Sequence, residues 1–553
     1  MDGPSSEEIR VRHAQYGAGT LLAWRRGGRY VVVRFDSLPF PIELPAREIL
    51  MSAPAPEPPA VAAPPPGPAA SDVAAEPAVL PTPAVGRRDA EPTAAVSAPQ
   101  DEPLLGRHEQ RGAALTIEAM RLGVVPAAEL SAYTVGRDQE LAIVARDIAD
   151  SSTAGGAVRA FIGDYGAGKT HLLELIQQRL LDRGYMAAMV MLDPEETSPS
   201  HPKRVYRALV RALRYPDRPF EEGEGLRPLL EKAARSPEAL AQFHVADRHP
   251  KASVADIEAT LQEGFHLYIS PAVSYMRTLG NIDRMMSRRR SPRAVDESRL
   301  AECIDLLEDW IEGHPTISNQ VIDAQLTRLA GRHPRIYSLL DYRPWARIYG
   351  YLLSGISALA RAVGYSGLTI LLDEAEFYSL LSRENRAFAD HLFKSWTYAA
   401  IGGDDAGTGE ALPFDAAEIE VGGYGIQQRL PGRHGNSPGL YVVFAMTPSP
   451  DGLAALGGAI PADRLTNLTP LDHSHYMALA AKLCDFYASA YSGWALPGRL
   501  VEPLGKVLSG LIQTGYVSNP RHAMKFLIEF LDVVRYHPSK VAGVVRDMQY
   551  QVG

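Results

Sequence analysis

FIGDYGAGKTHLLELI, residues 161–176, changes character twice within a short distance. Its first residues finish the apolar run AVRAFIG, which reads as a buried strand, and HLLELIQQRLL beyond it reads as an amphipathic helix. Between them Gly163-Asp164-Tyr165-Gly166-Ala167-Gly168-Lys169-Thr170 fits G-x-x-x-x-G-K-[ST] in full. Glycines let successive backbone N–H groups turn inward around phosphate oxygens, and the helix N-terminus adds its positive end. Lys169 is expected to reach the β- and γ-phosphates, the Thr170 hydroxyl to ligate Mg²⁺, and the nucleotide cradle to run from Gly163 to His171. The competing reading is a chance match in a glycine-containing chain. The strand before the loop and the helix after it decide against that.

A cradle hydrolyses nothing without an acid beside the metal and a group that positions water. GLTILLDEAEFYSLL supplies both: Leu368–Leu372 reads as a strand buried on both faces, with Asp373 and Glu374 at its C-terminal end. A strand-terminal Asp-Glu pair is also how a plain turn begins, and only its partnership with the loop favours chemistry. Asp373 is expected to hold Mg²⁺ through water and Glu374 to deprotonate the attacking water. GLYVVFAMTPS is a further apolar strand ending in a polar residue, Thr447, and a likeness to ATPases with such loops implies a γ-phosphate sensor there. Asn519-Pro520-Arg521 opens an amphipathic helix, where proline suits the first turn. From there Arg521 is expected to reach the triphosphate from a helical lid; a solvent-exposed arginine at the helix start is the bland alternative.

Around this core the 553-residue chain is 46% hydrophobic and 22% charged, with a net charge of −9, the balance of a globular protein rather than a polyanion coat. No apolar run reaches the length of a spanning helix, and MDGPSSEEIR lacks the basic start of a signal peptide, so a cytoplasmic protein with no membrane role is expected. Cys303 and Cys484 form no metal cluster, and the histidines, His171 and His391 included, show no metal spacing. Residues 51–109 are Ala/Pro-rich and read as a linker. Residues 1–50 contain three or four short strands, with Gly17 and Gly19 before the first and Arg-Arg-Gly-Gly at a hairpin turn, suggesting a small SH3-like barrel. Between Ile9 and Phe35 lie six arginines and no acidic residue, suited to an acidic protein or to nucleic acid.

Taken together, Val135-Gly136-Arg137 before the first helix, the Walker A loop, Asp373-Glu374, Thr447 and Asn519-Pro520-Arg521 resemble an AAA+-type or related ASCE P-loop ATPase. That resemblance implies an α/β fold: a parallel-sheet core with a large helical insertion and a C-terminal helical lid, plus the small N-terminal SH3/Tudor-like β-barrel. The V-G-R-x-x-E-L opening is like the origin-recognition and STAND branches, where this segment lies against adenine. Arg464, in Ala462-Asp463-Arg464-Leu465, is then the candidate arginine finger, acting on its own site or a neighbour's.

Lys169 and Asp373 lie far apart in sequence, and the span holds the strand MAAMVMLD and then helices over 201–364. With GDYGAGKTHLL and LLDEAE, this is similar to the BREX phage-defence ATP-binding proteins of the BrxC/BrxD type, over residues 110–553. The implied division is a P-loop ATPase domain at 110–470 and a lid at 471–553. The N-terminal module resembles the Tudor-like modules of UvrD/PcrA-type helicases and those of CarD-like proteins. The implied function is an ATPase of a bacterial anti-phage defence system that remodels or assembles on DNA, using ATP and Mg²⁺, as a homo-oligomer. A helicase, methyltransferase or RNA polymerase-type partner would dock on the N-terminal barrel. A STAND-like switch with slow turnover shares every site residue and stays open beside it. Arg284, Arg288, Arg289, Arg290 and Arg293 form the candidate DNA surface; a solvated loop is the ordinary alternative.

Overall fold

The computed structural model describes residues 10–13, 17–25, 30–36, 42–45, 49–51, 104–122, 130–219, 223–245, 254–288, 297–314, 319–330, 335–403, 412–420, 426–435, 439–491 and 494–552. Contacts divide the chain into two units, Met1–Glu102 and Pro103–Gly553.

The first unit is an antiparallel sheet of five strands, one more than expected. They are β1 (Arg10–His13), β2 (Gly17–Arg25), β3 (Tyr30–Phe35), β4 (Ile42–Pro45) and β5 (Ile49–Met51). The order is β4-β3-β2-β1-β5, so β5 returns to pair with β1. Gly17 and Gly19 do not precede the first strand. They stand inside β2, opposite His13 and Val11. Val11 and Val33 are buried, and Arg10 pairs with Asp36. The Arg-Arg-Gly-Gly turn, apart from Arg25, and nearly all of the 51–109 segment lie outside the described residues.

The second unit begins earlier than the predicted boundary at 110, with the helix Leu104–Arg121. At its centre is a sheet of β6 (Gly156–Ile162), β7 (Tyr185–Met191), β8 (Gly367–Asp373), β9 (Leu440–Met446) and β10 (Leu465–Asn467). The order is β10-β6-β9-β8-β7 and every pairing is parallel. Parallel strands carry helices on both faces, so their side chains are apolar on both sides. Here alternate residues divide cleanly. Val158, Met186, Ile370, Val442 and Phe444 enter one core, while Ala157, Phe161, Leu371, Tyr441 and Val443 enter the other.

The span between β7 and β8 contains eight α-helices among the described residues, from Pro202–Arg211 to Ala346–Ala362. They share the first core with the sheet rather than forming a core of their own. Ala346–Ala362 packs between the insertion, β8 and the helix Arg383–Ile401, and is buried nearly all round. A third core joins the C-terminal helices His473–Ala490, Val501–Gln513 and Pro520–Tyr536 to Ile117 and Met120 of the first helix. The C-terminal helices therefore pack with a segment from the start of the unit, clasped by Arg121, whose guanidinium donates twice to Asp532 at 2.7 Å. Among the described residues, no helix is long and apolar enough to cross a membrane.

Candidate active site

The loop after β6 closes through backbone conformations that side chains resist. Gly166 and Gly168 have φ of +79° and +94°, the left-handed region natural only to glycine. At Gly166 a Cβ would also stand 2.6 Å from the Asn519 side chain, so the loop and the start of the helix Pro520–Tyr536 touch there with no room for an added methyl. The helix Lys169–Asp182 then starts with no side-chain cap, leaving its first N–H groups facing the cleft.

One strand, β9, lies between β6 and β8, so the loop and the Asp373-Glu374 tip are separated by two strand spacings, about 10 Å. Side chains cross that gap. Lys169 is 7% exposed, and its Nζ donates to the Gly163 carbonyl at 3.0 Å and to Thr447 Oγ1, at the end of β9, at 2.7 Å. Thr170 Oγ1 donates to Asp373 Oδ2 at 2.7 Å. Asp373 is fully buried and also accepts the Glu374 N–H at 2.9 Å. Burial pushes its carboxyl above the ordinary value, against the pull of Thr170, the Glu374 N–H and Lys169.

Glu374 has φ of +59°, and His244 is the other non-glycine residue with positive φ among the described residues. Such a conformation costs about 1–3 kcal/mol and persists where the surroundings enforce it. Burial first, and then the Glu376 and Asp373 carboxylates, push Glu374 up to about 7.

Both remaining arms of the predicted site meet this loop. Arg521 donates to the Tyr165 hydroxyl at 3.1 Å, with its guanidinium over the ring at 5.4 Å. Arg137 is buried and braces the loop, donating to the Ala167 carbonyl and to the Thr469 carbonyl at 2.8 Å. Glu140 completes that brace by accepting the Thr469 N–H. Val135, Arg137, Tyr165, Gly166, Ala167, Gly168, Lys169, Thr170, His171, Glu374 and Arg521 line one cleft with about 820 Å³ of empty space, part of it open to solvent. Gly136, Gly163 and Asp164 flank it; Asp164 and Gly163 border a second depression behind the loop.

The cleft has an apolar end that sequence reading did not identify: Tyr133, Leu471, Leu479 and Met524. Three of these four come from the C-terminal part, where spacing alone marks them as ordinary core.

Arg464 does not reach the cleft of its own chain. Its Nη1 donates to Asp147 Oδ1 at 2.8 Å, and it is not part of the cleft lining. Asp147 is 1% exposed and also accepts two bonds from Arg159 and the Tyr441 hydroxyl at 2.9 Å. The register explains this: Leu465 pairs with Ala160, so Arg464 stands beside mid-strand Arg159 rather than at the loop end of β6. Of the candidate DNA surface, Arg284 and Arg288 belong to the last turns of the helix Ile269–Arg288, and Arg289, Arg290 and Arg293 lie outside the described residues.

The oxygens suit a magnesium ion. Thr170 and Asp373 offer a hydroxyl and a buried carboxylate side by side, and among the described residues no group of three or more His, Cys, Asp or Glu side chains could hold a metal. Two protein oxygens completed by phosphates and water is how Mg²⁺ is usually bound, rather than in an all-protein cage.

A parallel α/β sheet with a glycine-and-lysine loop at the tip of an inner strand, facing an acidic strand tip, is the architecture of a P-loop nucleotide-binding core. Comparison with protein families sharpens that class. The chain belongs to the BREX system ATP-binding protein BrxC/D family, whose model matches residues 109–389. The match takes in the loop and Asp373-Glu374 and stops before Thr447, Arg464 and Arg521. No curated protein matches the chain.

Proposed function

We propose that the protein hydrolyses ATP in this cleft and uses the cycle to change its assembly on DNA during phage defence. The observation that carries hydrolysis is the convergence of Thr170 with Asp373 and of Lys169 with Thr447, from segments some 200 residues or more apart in sequence. Gly166–Thr170 amides and Lys169 bind the phosphates. Thr170 and Asp373 would hold Mg²⁺, which would supply neutralisation of phosphoryl charge when bound. Glu374 accepts a proton from the attacking water as the new O–Pγ bond forms, and the bond from Pγ to the β–γ bridging oxygen breaks to release ADP. Thr447 orients the reacting group through its hydroxyl, and Arg521 moves from Tyr165 to the developing charge, which couples the lid to the nucleotide. The proposal extends to a homo-oligomer, to DNA contact through the Arg284–Arg293 segment, and to an SH3/Tudor-like N-terminal sheet that docks a helicase, methyltransferase or RNA polymerase-type partner.

Lys169→Ala tests the cradle. ATP affinity measured by equilibrium titration with Mg²⁺ should fall by at least tenfold, because a charge-assisted phosphate contact is removed. Equal affinity would exclude the cleft as the nucleotide site. A second reading, a slow-turnover regulatory switch, shares this site: Arg464 is held on Asp147, and Arg137, Lys169 and Arg521 are the basic side chains that line the cleft. Turnover accelerated by duplex DNA supports the first reading; nucleotide retained through purification with negligible turnover supports the second.

A further inference from the structure

We propose that Arg137 and Glu140 are a positioning pair for the phosphate loop. They tie the Ala167 carbonyl to the peptide at which the chain leaves the sheet for the C-terminal helices, so that the grip on nucleotide and the seating of those helices change together. The inference rests on the nucleotide reading above and adds a regulation of that site from the helices beyond β10.

The peptide in question is Thr469. Leu468 still donates to the Ile162 carbonyl at 2.7 Å, so the sheet holds the chain up to that residue. Pro470 follows and has no N–H to give, and Asp472 then caps the helix His473–Ala490. Between those two fixed points Thr469 is gripped on both of its backbone polar groups. Its N–H donates to Glu140 Oε1 at 3.0 Å, and its carbonyl accepts from Arg137 Nη1 at 2.8 Å. The other arm of the same guanidinium, Nη2, donates to the Ala167 carbonyl. Across a trans peptide the N–H points opposite to the carbonyl. Holding the Ala167 oxygen therefore also sets the direction of the Gly168 N–H, at the turn where the loop enters the helix Lys169–Asp182.

Distances separate this role from that of a buried ion pair. Arg137 Nη1 and Glu140 Oε1 are 3.4 Å apart, farther than either is from Thr469, and Glu140 Oε2 is buried with no hydrogen-bond partner among the described residues. Both residues are nearly inaccessible, at 3% and 1% exposure. A buried pair so loosely matched is weak ground for stability. Its shortest bonds run outward, to the loop and to the exit from the sheet. In the Asp147 cluster, by contrast, Arg159 and Arg464 donate to the carboxylate itself. The C-terminal helices also press directly on the segment that carries the pair. A Cβ at Gly136 would stand 2.7 Å from both Leu471 and His475, and Lys482 donates to the Thr134 carbonyl at 2.7 Å. Residues 134–140 thus touch both the loop and the helices, and a displacement of either is carried to the other.

The test is hydrogen exchange on the full chain with Mg²⁺ and AMP-PNP, an ATP analogue that is not hydrolysed, read beside the analogue's affinity and the melting temperature without it. In the unmodified protein the saturating analogue should slow deuterium uptake over residues 469–475 by about threefold. Arg137→Lys keeps the charge but cannot span two carbonyls, and should abolish that slowing while weakening the analogue by about tenfold. Glu140→Ala, which frees the Thr469 N–H, should abolish it as well. Glu140→Gln still offers an oxygen to that N–H and should restore it. A purely structural pair would lower the melting temperature in these variants and leave the slowing at saturation intact. The proposal is overturned, while the cradle stands, by no slowing in the unmodified protein or by slowing of full size in Arg137→Lys or Glu140→Ala. A Glu140→Gln variant as uncoupled as Glu140→Ala overturns it too. If Glu140→Ala does not fold, Arg137→Lys and Glu140→Gln decide alone. Analogue binding that is indifferent to Lys169→Ala defeats the nucleotide reading instead.

Discussion

Two clusters of charged side chains share β6 and behave in opposite ways. Beside Arg159, halfway along the strand, two arginines and a tyrosine hydroxyl satisfy the carboxylate of Asp147 on the helix Asp138–Ala154. At the strand tip Lys169 is just as buried, yet it donates to carbonyls and a hydroxyl, and no carboxylate accepts its hydrogen bonds among the described residues. Burying charge is costly unless it is paired. A closed cluster therefore holds the fold; at the tip the Asp373 and Glu374 carboxylates lie near Lys169 without accepting its hydrogen bonds, which leaves these groups to engage something that arrives from outside.

The comparison breaks first at Glu374. Glu374→Gln should lower ATP turnover by about a thousandfold, as expected for loss of a general base. ATP affinity should survive, and normal turnover would place the base elsewhere. The closed cluster should fail in a different currency. Asp147→Ala strands Arg159 and Arg464, and should lower unfolding stability in urea by about 3–5 kcal/mol. A loss below 1 kcal/mol would mean the cluster contributes little.

A third buried polar group, in the insertion, lets pH test the same logic. His266 stacks on Tyr351 at 4.0 Å and meets His434 edge-on at 4.9 Å. Burial pushes His434 down to about 4, and burial with the neighbouring His434 pushes His266 well below 6.5. The unfolded chain takes up these protons near pH 6.5, before the folded chain does. Stability is thus full above about 6.5 and falls as pH drops toward 4. Each such histidine accounts for about 2 kcal/mol between pH 7 and 5. His434→Leu should flatten the pH dependence by that amount, and an unchanged slope would refute the assignment.

The smallest effects separate two arginines. Arg521→Ala should weaken ATP by about threefold to tenfold and leave the melting temperature alone. Arg464→Ala should cost about 1–2 kcal/mol of stability and leave ATP affinity alone. The reverse pattern would return Arg464 to the site.

Much of the site was legible because its chemistry demands contiguous signals: Gly163–Thr170 between strand and helix, and Asp373-Glu374 closing an apolar run. Leu141, Ile143, Val144 and Ile148 in the helix Asp138–Ala154 follow a period of 3.6, which is also local, and of these Val144 and Ile148 are buried. β10 was not legible, because three residues carry no periodicity. The environment of Arg464 is set by the register of β10 with β6, which no local signal carries. Tyr133, Leu479 and Met524 are buried, and that they also wall a cleft depends on neighbours remote in sequence.

By itself the sequence determined that a phosphate-binding loop precedes a helix, that an acidic pair ends a buried strand, and that the intervening span is helical. Backbone freedom at glycine and side-chain periodicity act over a few residues, so they can be read from a few residues. Only the tertiary structure decided which charges meet. Parallel strands from distant segments must be threaded side by side before Thr170 can touch Asp373, Lys169 can touch Thr447, and Arg464 is drawn to Asp147 instead of the cleft.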